Sequence, residues 1–113
     1  MCKNECMKTE GATGAICPNY HRAIELIGRR WTGAILLALS HGAERFCTLT
    51  AAVPGLSDRL LSERLKELEA RGIVVRTVCD GRPARVEYTL TSMGRELEPA
   101  LRELEAWAQR WLP

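Results

Sequence analysis

Aromatic residues are scarce in this chain: one Phe, two Tyr and three Trp make up 5% of 113 residues. A core with so few rings must be filled by aliphatic side chains, so the spacing of Leu, Ile, Val and Ala carries the reading of the fold. Net charge is small as well. Sixteen Lys and Arg against 14 Asp and Glu leave +2, and between residues 57 and 88 seven basic residues meet six acidic ones, a net of +1. Bulk charge therefore does not announce a polyanionic partner, and any such claim must rest on where particular basic side chains point. No apolar run approaches the roughly 18 residues of a membrane helix, since Arg29, Arg30 and His41 interrupt the longest ones. The opening MCKNECMKTEGATGA lacks the apolar centre of a secretory signal, so a cytoplasmic location is expected, with no membrane partner. The chain also lacks a C-x-x-C pair, a nucleophile elbow, a glycine-rich phosphate loop and paired catalytic carboxylates, and its two histidines fall in separate helical regions. An enzyme is not expected, and no cofactor is called for.

A chain of 113 residues is long enough for one domain, and small enough that a second copy would add useful burial. Residues 1–16 are polar and aperiodic, with Gly11 and Gly14, and read as a flexible tail ahead of a domain spanning 17–113. Five cysteines are an odd number at no disulfide-scaffold spacing, which suits a reducing compartment.

The most informative stretch is Arg45 to Gly72, RFCTLTAAVPGLSDRLLSERLKELEARG. Val53, Pro54 and Gly55 break one helical pattern, and Ser57 opens another as an N-cap, with Asp58 where the helix dipole favours negative charge. At 100° per residue Leu60, Leu61, Leu65 and Leu68 share one side of the second helix, while Arg59, Ser62, Glu63 and Lys66 share the other. An amphipathic helix usually turns its polar side to water and does nothing more. This one offers a guanidinium, a hydroxyl and an ammonium within two turns, groups that suit phosphates and base edges. The unit reads as a helix-turn-helix.

Upstream, Cys17 and Pro18 start a helix, Pro being favoured at the first helical position and Cys17 falling at the N-cap. Ala23, Ile24 and Ile27 form its apolar side. Trp31 to Ser40 is apolar on most sides and is expected to be the central core helix, with Trp31 in the core. Downstream the period changes from helical to alternating. Ile73–Val78 and the run Val86, Tyr88, Leu90 form two strands interrupted by Asp80, Gly81 and Pro83, a hairpin with Arg82 and Arg85 at its tip. Thr91 caps a last helix in which Leu97, Leu101, Leu104, Trp107 and Trp111 make one continuous stripe. Two large rings at the end of a long terminal helix favour a partner chain, through antiparallel or crossed pairing in a two-fold dimer.

The strings CPNYHRAIELIGRRW, RFCTL, LSDRLLSERLKELEARGIVVRT, RVEYTLTSMGRELEPAL and LEAWA, in this order, resemble the HxlR family of bacterial winged helix-turn-helix transcription regulators, from Cys17 to about Trp111. The resemblance implies a mainly α (α+β) fold: a winged helix-turn-helix with a β-hairpin wing and N- and C-terminal dimerisation helices. It also implies a homodimer on double-stranded operator DNA, acting as a regulator, in the first instance a repressor. Arg59, Ser62 and Lys66 would then read or grip the major groove, Ser57 and the helix start would meet phosphate, and Arg82 and Arg85 would grip beside it. Arg64 lies near the apolar side and would reach phosphate by snorkelling.

Some members of the family resemble thiol switches, and the cysteine of their Cys-Pro pair corresponds to Cys17. A helix N-terminus favours the thiolate that reacts with oxidants or electrophiles, although cysteine is as often simply a small packing residue. Cys47 in RFCTL departs from the small polar residue expected there, which raises a bridge from Cys17 to Cys47, within or between subunits. Cys79 near the wing tip reads as incidental. Two alternatives stand beside this: a metal- or small-ligand-responsive regulator using Cys2, Cys6, Cys17 and His21, whose spacings soft metals accept, and a winged-helix protein-interaction module, which the acids Asp58, Glu63 and Glu67 on the second helix keep open.

Overall fold

The computed structural model describes residues 15–113, so the expected tail lies almost wholly outside the described residues. Among the described residues five helices and one hairpin follow in the order α1 (Pro18–Gly28), α2 (Thr32–Ser40), α3 (Phe46–Ala52), α4 (Asp58–Ala70), β1 (Val74–Cys79), β2 (Arg85–Leu90) and α5 (Ser92–Trp111). The strands are antiparallel, in register from Val74 opposite Leu90 to Cys79 opposite Arg85.

α2 is the centre, as a helix apolar all round must be. Ile35 and Leu36 are wholly enclosed, together with Leu49 of α3 and Leu61, Leu65 and Leu68 of α4. Burying each such side chain stabilises the fold by about 1.5–3 kcal/mol before the entropy of ordering it is set against it. Val74 and Leu90 close the base of the hairpin over this core, and Tyr88 N–H donates to the Glu44 carbonyl at 2.8 Å, which ties the hairpin to the α2–α3 loop.

Local chemistry accounts for both ends of α4. Ser57 Oγ accepts from Leu60 N–H at 3.1 Å, meeting one of the orphan donors of the first turn. At the other end Gly72 adopts φ +79, and Ile73 N–H reaches the Leu68 carbonyl while Gly72 N–H reaches that of Glu69, each at 3.0 Å. This paired arrangement around a left-handed glycine satisfies the last carbonyls and turns the chain directly into β1.

Trp31 departs from expectation. It is the N-cap of α2 rather than a helical residue, it has φ 80, and it is only partly buried against the core. A positive φ at a bulky residue costs free energy and persists only where the surroundings over-determine it. Here the Arg30 guanidinium lies 4.9 Å from the Trp31 ring centroid, and the ring packs beside Gly55, whose own φ of +89 makes the turn before α4.

Gly94, in the first turn of α5, is a close-approach position and not merely a tolerated glycine. A Cβ there would lie 2.5 Å from the Ile73 carbonyl oxygen. The approach is fixed by Thr91, whose hydroxyl donates to the Gly72 carbonyl at 2.6 Å and accepts from Gly94 N–H at 3.3 Å. α5 then runs through Pro99, which leaves the Arg95 carbonyl without its intrahelical donor.

Candidate nucleic-acid interface

α3, the turn at 53–57 and α4 form the helix-turn-helix. Val53 and Leu56 are buried and anchor the turn, so the polar side of α4 is presented outward by core packing and not by the loop. On that side Arg59, Glu63 and Lys66 are exposed and Ser62 is half-buried. Arg59 Nε lies 3.4 Å from Glu63 Oε2, one turn away, with the Arg59 side chain 89% exposed. So exposed a pair is worth little and releases the guanidinium readily to another acceptor. Ser57 is exposed but its hydroxyl is engaged as the cap of α4. At the far end of the hairpin Arg82 and Arg85 are exposed, with Arg85 Nη2 at 3.6 Å from Glu87 Oε2.

Arg64 is a correction. It is only 8% exposed, and its Nε donates to the Arg30 carbonyl at 3.2 Å. Its Nη1 lies 3.5 Å from Glu67 Oε2 without hydrogen-bond geometry, and Glu67 also takes Arg29 Nη2 at 3.2 Å. The side chain therefore pins α4 to the α1–α2 link and does not reach for phosphate. Sequence spacing could not reveal this, because the acceptor is a backbone carbonyl.

The stripe on α5 divides. Leu101 is 5% exposed and belongs to the chain's own core, with Leu97 packed against it, so these two do not stand free for a partner. Leu104, Trp107 and Trp111 remain 56%, 50% and 65% exposed, and α1 buries none of its residues, with Tyr20 and Ile24 open to solvent. Exposed apolar residues thus sit on both terminal helices, beside Val75 and Val78 on β1, and such patches mark interaction surfaces.

Cys17 is the N-cap of α1, as its place before Pro18 led one to expect. It is disulfide-bonded, whereas the free thiols among the described residues are Cys47, exposed on α3, and Cys79. A Cys17–Cys47 bridge is therefore not formed within this chain. The Cys79 thiol is held above its ordinary pKa, chiefly by its hydrogen bond to the Glu87 carboxylate, which disfavours the reactive thiolate. Of the metal alternative, Cys2 and Cys6 lie outside the described residues, and His21 lies 3.5 Å from Glu25. Among the described residues no group of three or more His, Cys, Asp and Glu is placed to hold a metal ion, and no helix is long and apolar enough to cross a membrane.

Residues 26–113, which contain α2 to α5 and the hairpin, match the HxlR-like helix-turn-helix family. The chain belongs to that family. It is 44% identical over 97 residues to the HTH-type transcriptional regulator YvaP of Bacillus subtilis, covering 86% of this chain and 90% of that one. It is also similar to a solved structure, the reduced form of the transcriptional regulator YodB from B. subtilis, with a TM-score of 0.74 and 41% identity over 87% of this chain and 96% of that one. The redox regulator HypR in its oxidised form aligns with a TM-score of 0.75 at 35% identity, covering 81% and 95% of the two chains. Membership makes this chain a transcriptional regulator with DNA as its partner, and not an enzyme.

Proposed function

We propose that the protein is a homodimeric operator-binding repressor whose DNA affinity is set by cysteine oxidation or electrophile modification. The observation that carries the DNA-binding part is the outward side of α4, where Arg59 and Lys66 stand exposed on a helix held from behind by Leu61, Leu65 and Leu68. In this reading α4 enters the major groove, Arg59, Ser62 and Lys66 meet base edges and phosphates, Ser57 and the N-terminus of α4 face phosphate, and Arg82 and Arg85 of the wing grip alongside. The dimer pairs α5 with its copy through Leu104, Trp107 and Trp111, with α1 contributing, so that two copies of α4 face half-sites about one helical turn apart. Binding across a promoter excludes polymerase sterically.

Cys17 is the sensing residue in this reading. Its disulfide is the oxidised state of the switch; reduction frees a sulfur at the N-cap of α1, where a helix dipole favours the thiolate, on the terminal helix assigned to the dimer, so its chemistry acts on the spacing of the two copies of α4. Cys47, a free and exposed thiol on α3, is the second candidate: by thiol–disulfide exchange it attacks the Cys17 disulfide of the other subunit, forms the bridge to Cys17 and releases the former partner cysteine as a thiol. The relatives YodB and HypR, one solved in a reduced form and the other a redox regulator solved in an oxidised form, support a redox reading.

The test is a titration of the full chain on DNA from immediately upstream of its own gene, first with reductant and then after diamide or a quinone. The expected result is affinity at least tenfold weaker after oxidation, restored by dithiothreitol, with Cys17→Ser insensitive to the oxidant. Equal binding in both states would remove the thiol control.

A further inference from the structure

A groove of about 670 Å³ runs along α2 from the α3–α4 turn to Glu105 on α5, within the size range of small-molecule sites. Its walls include Trp31, Leu37, Val53 and Pro54, and its far end holds His41 and Glu105. Two features separate it from an ordinary surface crease. It touches three elements whose relative placement sets the DNA-reading geometry: the strained Trp31 with α2, the turn that leads into α4, and α5. It also carries a sign of charge, because Glu105 is the one residue among Asp, Glu, Lys and Arg in its lining. Glu105 Oε1 lies 3.5 Å from His41 Nε2, a weak contact that a better donor displaces. The nearby guanidiniums are committed elsewhere, Arg102 Nη2 to the Ser40 carbonyl at 2.9 Å and Arg30 to the Trp31 ring.

We infer that this groove is an effector site for a small hydrophobic cation, an aromatic body lying along Trp31, Leu37, Val53 and Pro54 with an ammonium hydrogen-bonded to Glu105. An apolar wall with one carboxylate at its end selects that class: the ring system replaces water on aliphatic and indole surface, and the ammonium donates to the acceptor. Occupancy is felt at the recognition helix because the Trp31 ring packs beside Gly55, three residues before Asp58 opens α4. As an effector site it rests on the reading of the chain as a DNA-binding regulator; as a binding site it does not.

The probes are (2-naphthyl)methylammonium, the neutral 2-naphthylmethanol and the anion 2-naphthoate, titrated without DNA into the full chain. Calorimetry and the indole N–H signal of Trp31, assigned by its loss in Trp31→Phe, follow binding. The ammonium is expected to bind at least tenfold more tightly than the carboxylate and to move the Trp31 signal, and Glu105→Gln is expected to lower its affinity about tenfold while leaving the alcohol unchanged, a charged hydrogen bond being worth that much. Equal affinity for all three probes, no effect of Glu105→Gln, or movement of the Trp107 and Trp111 signals in place of Trp31 would overturn the site. In a second arm, saturating ammonium is expected to change the affinity for upstream DNA at least threefold in the wild type and not in Glu105→Gln. An unchanged affinity overturns the effector role. If the chain binds no DNA while the ammonium series holds, the site stands and the DNA-binding reading falls.

Discussion

Replacing Arg59 and Lys66 together with alanine is expected to weaken binding to upstream DNA by at least a hundredfold, with the helical content and melting temperature of the protein unchanged. Both side chains are exposed on α4 and make no core contact, so their loss removes contacts to DNA and little else. A good base or phosphate contact from such a residue is worth about 1–3 kcal/mol, and two of them lost in each subunit exceed the roughly 2.8 kcal/mol of a hundredfold change. The dependence of log affinity on log salt should flatten by about 0.9 for each phosphate contact removed. Arg64→Ala supplies the contrast. Because Arg64 is buried and bonded to the Arg30 carbonyl, its loss registers first as a lower melting temperature. Anisotropy titrations at several salt concentrations, beside a thermal melt of each variant, separate the two outcomes.

Gly94→Ala is expected to destabilise the fold by about 2 kcal/mol, a typical cost of forcing an atom into filled space. The added methyl meets the Ile73 carbonyl oxygen at 2.5 Å and Leu90 Cδ2 at 3.0 Å, and neither neighbour yields easily, the first being backbone and the second part of the core. In a domain of this size that corresponds to a melting temperature lower by about 8–16 °C. Gly28→Ala is the control of opposite sign, since nothing lies within 4 Å of its added Cβ and its φ is not positive. It should stabilise the last turn of α1 slightly, by less than about 1 kcal/mol. Thermal denaturation of the two variants decides the matter: equal melting temperatures would contradict the packing drawn at the base of α5.

The elements visible in the sequence are those whose determinants are local. Ser57 and Gly72 bracket α4 within the helix's own chemistry, and alternating residues around Asp80, Gly81 and Pro83 announce a hairpin without reference to anything distant. Cys17 and Pro18 mark the start of α1 in the same way. What escaped depends on partners far along the chain. Arg64 resembles any arginine at the edge of an apolar stripe until the Arg30 carbonyl, 34 residues away, is placed beside it. Gly94 is a poor helix residue in isolation and an obligatory one once Ile73 lies against it. Leu101 fits the periodic stripe as well as Trp107 does, and only the packing of α5 on α2 shows that the stripe rotates from the chain's own core toward solvent along its length. The groove along α2 was invisible for the same reason, since its residues come from α2 and its N-cap, the loop after it, α3, the turn and α5.

The most direct test of the central claim, a two-fold dimer reading DNA through α4, is selection of binding sites from random duplex DNA by the full chain, followed by footprinting on the recovered sequence. The expected result is a pseudo-palindrome with half-sites about one helical turn apart, protected on one face of the duplex, with two chains bound per site. Recovery of no enriched sequence, or of a single half-site bound by one chain, would contradict it.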